Sequence, residues 1–176
     1  METNEAIVEQ LKLVLSAHHT DAERKNFISQ FLFLEGNLEN LLPLLFEPHP
    51  VNMRFAWFLG DLVTIQPHLV QQHLIYLFQN RESFQILNFN RSLAKFFYYV
   101  GIPTEIESEV YFRLNEWLMS PGSDISTKTY VLKVLIRFSE IYPEFKSELS
   151  LNLERLLENK QSNTFYKLAE KTLKVL

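Results

Sequence analysis

Cysteine is missing from this chain of 176 residues. Disulfides, thiolate metal sites and cysteine nucleophiles are therefore excluded, and a reducing compartment is the natural setting. Glycine is nearly missing: only Gly36, Gly60, Gly101 and Gly122 occur, which leaves few places for a phosphate-cradling loop or a hairpin-rich sheet. Long apolar runs are also lacking, since charges interrupt every such stretch before the ~18 residues that a membrane helix needs. Met1 is followed by Glu2, Thr3, Asn4 and Glu5 rather than by a basic region and an apolar core, so no secretory signal is expected. A soluble cytoplasmic protein without a membrane partner is the resulting expectation. Positive charge is short as well. With 17 Lys and Arg against 21 Asp and Glu, the formal net charge is −4, which disfavours nucleic-acid binding over the whole surface.

What is present favours helices. Leu, Phe and Glu abound, and 47% of residues are hydrophobic, so a chain of this length can bury a sizeable core as one domain over residues 1–176. Ile7, Leu11, Val14 and Leu15 share a face over 3–17, and Phe27, Ile28, Phe31 and Leu32 share one over 21–34. Asp21 is the expected N-cap of the second helix, and Gly36-Asn37 its expected end. Further helices are expected at 38–47, interrupted by proline, and at 51–65, 68–79, 89–100, 104–119, 125–142, 144–159 and 163–176. That makes about ten, with no convincing strand. Ser120-Pro121-Gly122-Ser123 reads as a turn, and the helix at 125–142 reads as apolar on nearly all sides.

These helices recur. Val63-Thr64-Ile65-Gln66-Pro67, Val100-Gly101-Ile102-Pro103 and Glu140-Ile141-Tyr142-Pro143 each end an apolar segment at a proline that precedes another amphipathic segment. The prolines stand 36 and 40 residues apart, inside the period of stacked helix pairs. The second helix of each pair starts near 51, 89, 125 and 163. Short amphipathic pairs cannot bury their apolar faces alone, so they are expected to stack. The fold class expected is thus all-α, an α-solenoid of stacked antiparallel helix pairs. Residues 1–36 would cap it, and 37–176 would supply about four pairs.

Arg54-Phe55-Ala56-Trp57-Phe58-Leu59-Gly60-Asp61-Leu62 resembles the second helix of HEAT-type repeats, with its loose Arg-x-Ala-x-x-Leu-Gly-x-Leu pattern. Arg91-Ser92-Leu93-Ala94 and Lys128-Thr129-Tyr130-Val131 keep the basic residue and an apolar follow-on but lack Leu-Gly. The resemblance to HEAT-like and armadillo-like arrays covers about residues 37–176. It implies a non-catalytic scaffold that binds a protein or peptide on a concave face lined by second helices. One branch of HEAT-like proteins, the DNA-alkylation-repair glycosylases, grips duplex DNA with Trp, Arg and Asp. Trp57, Arg54 and Asp61 are those residue types on one helix, so nucleic-acid binding is the alternative that the resemblance implies.

Arg54, Arg91 and Lys128 follow one another at intervals of 37 residues, equivalent points in a regular stack. They form either a basic ladder for an acidic or phosphate-bearing ligand or a set of ties between layers. Lys95 and Lys133 lie near the same helices and would extend a positive strip. Tyr98, Tyr99 and Trp57 are candidate interface anchors, because a rigid ring buries much area at little entropic cost; core packing is the competing role. Leu168, Leu173, Val175 and Leu176 leave an apolar C-terminal edge through which an assembly protein would dimerise. No metal site, cofactor fingerprint or catalytic motif is read: His68 and His73 are five apart, and no His-Glu-x-x-His, Walker or Gly-x-Ser-x-Gly pattern occurs.

Overall fold

Caps and prolines set where the helices begin. In the computed structural model, which describes residues 2–17, 20–34, 36–158 and 164–176, ten α-helices and three 3-10 segments make up the described chain, with no strand among those residues. The sequence clusters into two compact units, Met1–Ser92 and Leu93–Leu176.

In the first unit, α1 spans Glu2–Ser16 and α2 spans Asp21–Phe33. The N-cap of α2 is Thr20 rather than Asp21. Its hydroxyl accepts from the Glu23 N–H at 3.3 Å, while the Glu23 carboxylate accepts from the Thr20 N–H at 2.6 Å, a reciprocal capping box. Asp21 stands one residue inside the helix and accepts from Arg24 at 3.0 Å. After α2, the Gly36 N–H bonds to the Phe31 carbonyl at 3.0 Å. A Cβ at Gly36 would overlap the Phe31 ring, so close approach explains this glycine.

Leu38–Phe46 is a 3-10 helix of nine residues, an unusual length for that geometry. Its threefold repeat lines up Leu38, Leu41 and Leu44, with Leu42 and Leu45 beside them, and all five are buried. Pro43 has no N–H to give, which removes one helical bond from the middle of this stretch. α3, Val51–Ile65, is the hub. It meets α1, α2, the 3-10 helix and α4 (Pro67–Gln71), and most of its circumference is buried. Phe58 lies 6.0 Å from both the Phe27 and Phe31 rings, edge-on, and stacks on Phe55 at 5.6 Å. Such ring pairs add about 0.5–1.5 kcal/mol each beyond their area. The segment expected as one helix at 68–79 is two: α4 and α5, Leu74–Gln79. They part at Gln72-His73, where the His73 N–H bonds to the Val70 carbonyl at 3.0 Å, one residue short of α register. Phe84 packs edge-on against Phe46 and Phe89, and the buried Asn52 amide donates to the Phe84 carbonyl at 3.2 Å.

Helix α6, Phe89–Val100, crosses the boundary between the units. It ends at Gly101, whose φ of +94° suits glycine and whose N–H bonds to the Phe97 carbonyl at 2.9 Å. The second unit continues with α7, Glu107–Met119; α8, Ile125–Ile141; α9, Lys146–Glu158; and α10, Thr164–Leu173. α7 and α9 are each preceded by one 3-10 turn, Thr104–Ile106 and Pro143–Phe145. Ile106 bonds back to the Pro103 carbonyl and Phe145 to that of Tyr142, both at 3.1 Å, so each proline opens its helix through a tight turn. Asp124 caps α8 by accepting from the Thr127 N–H at 2.7 Å. α8 packs on α7, α9 and α10, and α9 packs on α10. The expected helix ends at 159 and 163, and the loop between them, lie outside the described residues.

One number recurs in both units. Side-chain hydrogen bonds between distant residues join positions 35–39 apart. In the first unit they are Lys12 to Glu47, Arg24 to Asp61 and Arg54 to the end of α1. In the second they are Tyr142 to Glu107, Tyr111 to Glu148, Asn152 to Asn115 and Arg137 to Tyr98. Asn52 to Phe84, 32 apart, is the exception among those above.

Candidate ligand-binding faces

Two groups of side chains hold the residues singled out from the sequence. The first is on α3, where Arg54, Trp57 and Asp61 recur at helical spacing and share one side. Arg54 is occupied: one guanidinium nitrogen donates to the carbonyls of Leu15, Ser16 and Ala17 at 2.8, 3.2 and 2.5 Å. They lie at the end of α1, where a cation also meets the negative pole of the helix. Asp61 is occupied as well, accepting from Arg24 Nε at 2.6 Å. Arg24 is buried, with its guanidinium 5.9 Å from the centre of the Trp57 ring. Trp57 itself remains 47% exposed. The trio is therefore mostly engaged in internal bonding, with one indole at the surface.

The second group joins α6 to α8 within the second unit. The Tyr98 and Tyr130 rings lie 6.0 Å apart, and Lys133 Nζ stands over both, 5.1 Å from one centroid and 5.4 Å from the other. Arg137 lies 4.2 Å from the Tyr98 centroid and donates to the Tyr98 carbonyl, near the end of α6. Tyr99 packs edge-on to Tyr98 at 5.1 Å and is 41% exposed. Ring faces attract cations through their quadrupole, worth about 0.5–1 kcal/mol each at exposed sites. Lys133 is half-buried, and no carboxylate among the described residues pairs with it. Tyr130, Lys133 and Arg137 follow at i, i+3 and i+7, one stripe of α8.

The remaining cations do not share an environment. Arg91 is exposed near the start of α6. Lys95 is half-buried one turn before Tyr98 and Tyr99. Lys128 is half-buried on α8, and burial holds its ammonium below the usual lysine range. Arg54, Arg91 and Lys128 thus differ in burial and bonding despite their equal spacing.

The sequence reading missed Arg24, Tyr130 and Arg137. The 37-residue step from Arg24 to Asp61 was a usable signal, as was the polar stripe on α8. That helix buries Val131, Leu132, Val134, Leu135 and Phe138, a breadth of apolar surface that hides the stripe in any average. Also missed was a ring cluster of Tyr111, Phe138, Tyr142 and Phe145. In it Tyr111 donates to Glu148 at 2.7 Å and Tyr142 to Glu107 at 2.8 Å.

Among the described residues no set of His, Asp and Glu converges as metal ligands, and no helix is long and apolar enough to cross a membrane. The chain matches no protein-family model, no curated protein and no solved structure, so the geometry of these two groups carries the functional reading.

Proposed function

We propose that the protein is a non-catalytic binding module in which each unit is a stretch of HEAT-like α-solenoid, built of stacked antiparallel helix pairs. A protein or peptide is recognised on the face of the second unit formed by α6, α8 and α10. Supporting the repeat are the side-chain ties at 35–39 residues, the separation expected when equivalent positions of successive pairs meet. Supporting the binding face is the single observation that carries this reading: a lysine held over two tyrosine rings with no carboxylate partner among the described residues, while Tyr99 next to Tyr98 is exposed. Tyrosine is among the residues that dominate binding energy where partners meet, and a positioned charge adds electrostatic complementarity.

Nucleic-acid binding through Arg54, Trp57 and Asp61 is not preferred, because Arg54 and Asp61 already bond within the fold. Dimerisation through the C-terminal edge has the 74% exposed Val175 in its favour and no further observation.

Panning a random peptide library against the full chain tests the proposal. Selected peptides should bind wild type and lose about tenfold in affinity to Lys133→Glu, the loss of one charge-assisted contact. Peptides that bind that variant and wild type equally well would refute the assignment of this face.

A further inference from the structure

We propose that the outer face of α7 and α9 docks a cationic amphipathic helix of another polypeptide. Bonds within the second unit fix how these two helices lie. Tyr142 meets Glu107, Tyr111 meets Glu148 and Asn152 meets Asn115, so a step forward along α7 is matched by a step forward into and along α9. The two helices are therefore parallel neighbours. Their line of contact runs through Tyr111 and Asn115 on one and through Glu148 and Asn152 on the other.

At about 100° per residue, Phe112 stands about 80° from that line on α7, and Leu151 stands about 80° from it in the opposite sense on α9. Between parallel neighbours, those are the same side of the pair. The other side is the core, where Val110 and Leu114 of α7 and Leu149 and Leu153 of α9 are buried. Phe112 is 60% exposed and Leu151 47%, at positions where a solvated helix face normally carries polar residues. With the bonded pairs taken as level, the two are offset by about two residues, or ~3 Å along the axis. They flank one stretch of the groove between the helices.

Charge identifies the occupant. Beyond Phe112, on the side away from α9, stand Glu109 and Glu116; beyond Leu151, on the side away from α7, stand Glu154 and Glu158, all four exposed. Arg113 is bonded to Glu116 at 2.7 Å, and Arg155 is an exposed cation on α9. Segments 104–119 and 143–158 together carry eight acidic residues against three basic, a net of −5. The attraction rests on this net field rather than on any one unpaired carboxylate. Across the pair, the order is thus carboxylate, apolar, groove, apolar, carboxylate. A partner with an apolar middle bordered by cations matches it, and that is the cross-section of a basic amphipathic helix laid in a groove. Nucleic acid and anionic lipid are repelled by the same field.

Fluorescence anisotropy on the full chain tests this with three labelled peptides. One is a helix-forming sequence with a leucine stripe bordered by lysines, another has the same composition in scrambled order, and the third replaces each lysine of the first by glutamate. The first should bind about tenfold more tightly than the scrambled peptide, with affinity falling as salt rises, and the third should not bind. Phe112→Ser, Leu151→Ser and Glu154→Lys should each weaken the first by about fivefold. Phe33→Ser, 86% exposed on α2, and Glu82→Lys, exposed in the first unit, should leave it unchanged. Circular dichroism confirms that each variant is folded. Equal binding of the first two peptides, binding of the third, or a control variant as damaging as Phe112→Ser would overturn the inference. So would a dimer, seen by light scattering, that Phe112→Ser dissociates, because the face would then belong to a second copy of this chain. Neither this face nor the Lys133 cluster rests on the other, so failure of the library-peptide test leaves the present one standing, and the reverse.

Discussion

The two units handle charge in opposite ways. Residues 1–92 hold six basic and ten acidic side chains, a net of −4, and three of the basic ones bond to residues 35–39 positions away in the fold. Lys12 bonds to Glu47, buried Arg24 to Asp61, and Arg54 to the last carbonyls of α1. Residues 93–176 hold eleven of each sign, and their long-range ties are largely uncharged donors: Tyr111, Tyr142 and Asn152. Among its described lysines, Lys133 rests on two ring faces and Lys167 and Lys171 are exposed. A cation bonded to a carbonyl or a buried carboxylate contributes to stability, whereas one resting on ring faces without an anion remains available to a ligand. That difference directs attention to α8 rather than to the helix that resembles the repeat family most.

The strongest way to break the comparison is to attack one core and watch the other. Phe58→Ala removes the ring at the centre of the Phe27, Phe31 and Phe55 cluster and should cost about 3–5 kcal/mol. Trp57 and Trp117 lie one in each unit, so single-tryptophan variants can follow the two by fluorescence during urea unfolding. The Trp57 transition should move to lower urea. An equal shift at Trp117 would mean that the units unfold as one and that their separation has no energetic meaning.

Next in size is Asp61→Asn, which leaves the buried Arg24 facing a neutral amide, with Asp21, itself exposed, as its remaining carboxylate partner. A loss of about 1–3 kcal/mol is expected in the first unit, and Asn152→Ala in the second should cost less, because no charge is stranded. Comparable losses would remove the distinction between charged and uncharged ties. Smaller again are the caps, with Thr20→Ala on α2 and Asp124→Ala on α8 each expected to cost about 1 kcal/mol by thermal unfolding.

The pH dependences should be smallest and of opposite direction. Burial holds His73 in the first unit below its usual 6.5, only partly offset by Glu39. Its contribution is therefore complete above that value and is lost as pH falls below it. In the second unit, burial and then Glu148 raise Tyr111, while the hydrogen bond to Glu107 and then burial raise Tyr142, both above the usual 10.0. Their contribution is complete below pH 10.0 and is lost as pH climbs beyond it. Lys128, lowered by burial, works in the opposite sense in that alkaline range, so the tyrosine effect is read as the difference between wild type and Tyr111→Phe. Identical alkaline profiles for the two proteins would show that the Tyr111 bond carries no weight.

Much of the secondary structure was legible residue by residue. α3 runs over Val51–Ile65 and α6 over Phe89–Val100 as their apolar spacing required, and each recurrent proline does open a new helix. The misplaced features were those that depend on a partner. Thr20 caps α2 because Glu23 can reciprocate, and α4 separates from α5 at a backbone bond that no side chain announces. The candidate site divides in the same manner. Tyr98 and Tyr99 were visible as an aromatic pair, but what makes them a site is Lys133 over one ring, and that contact exists only when α6 meets α8. Arg54, Arg91 and Lys128 were read as equivalents, yet their neighbours differ: helix-end carbonyls for the first, solvent for the second, a desolvating surround for the third.

By itself the sequence determined that this protein is helical and where most helices start, since these follow from local propensity and the spacing of apolar side chains. Tertiary structure decided which charges were satisfied. Lys12, Arg24 and Arg54 have partners 35–39 residues away along the chain, and whether such residues meet depends on how helices pack, which no local pattern encodes. Arg54 found carbonyls there, and Lys133 found the faces of two rings.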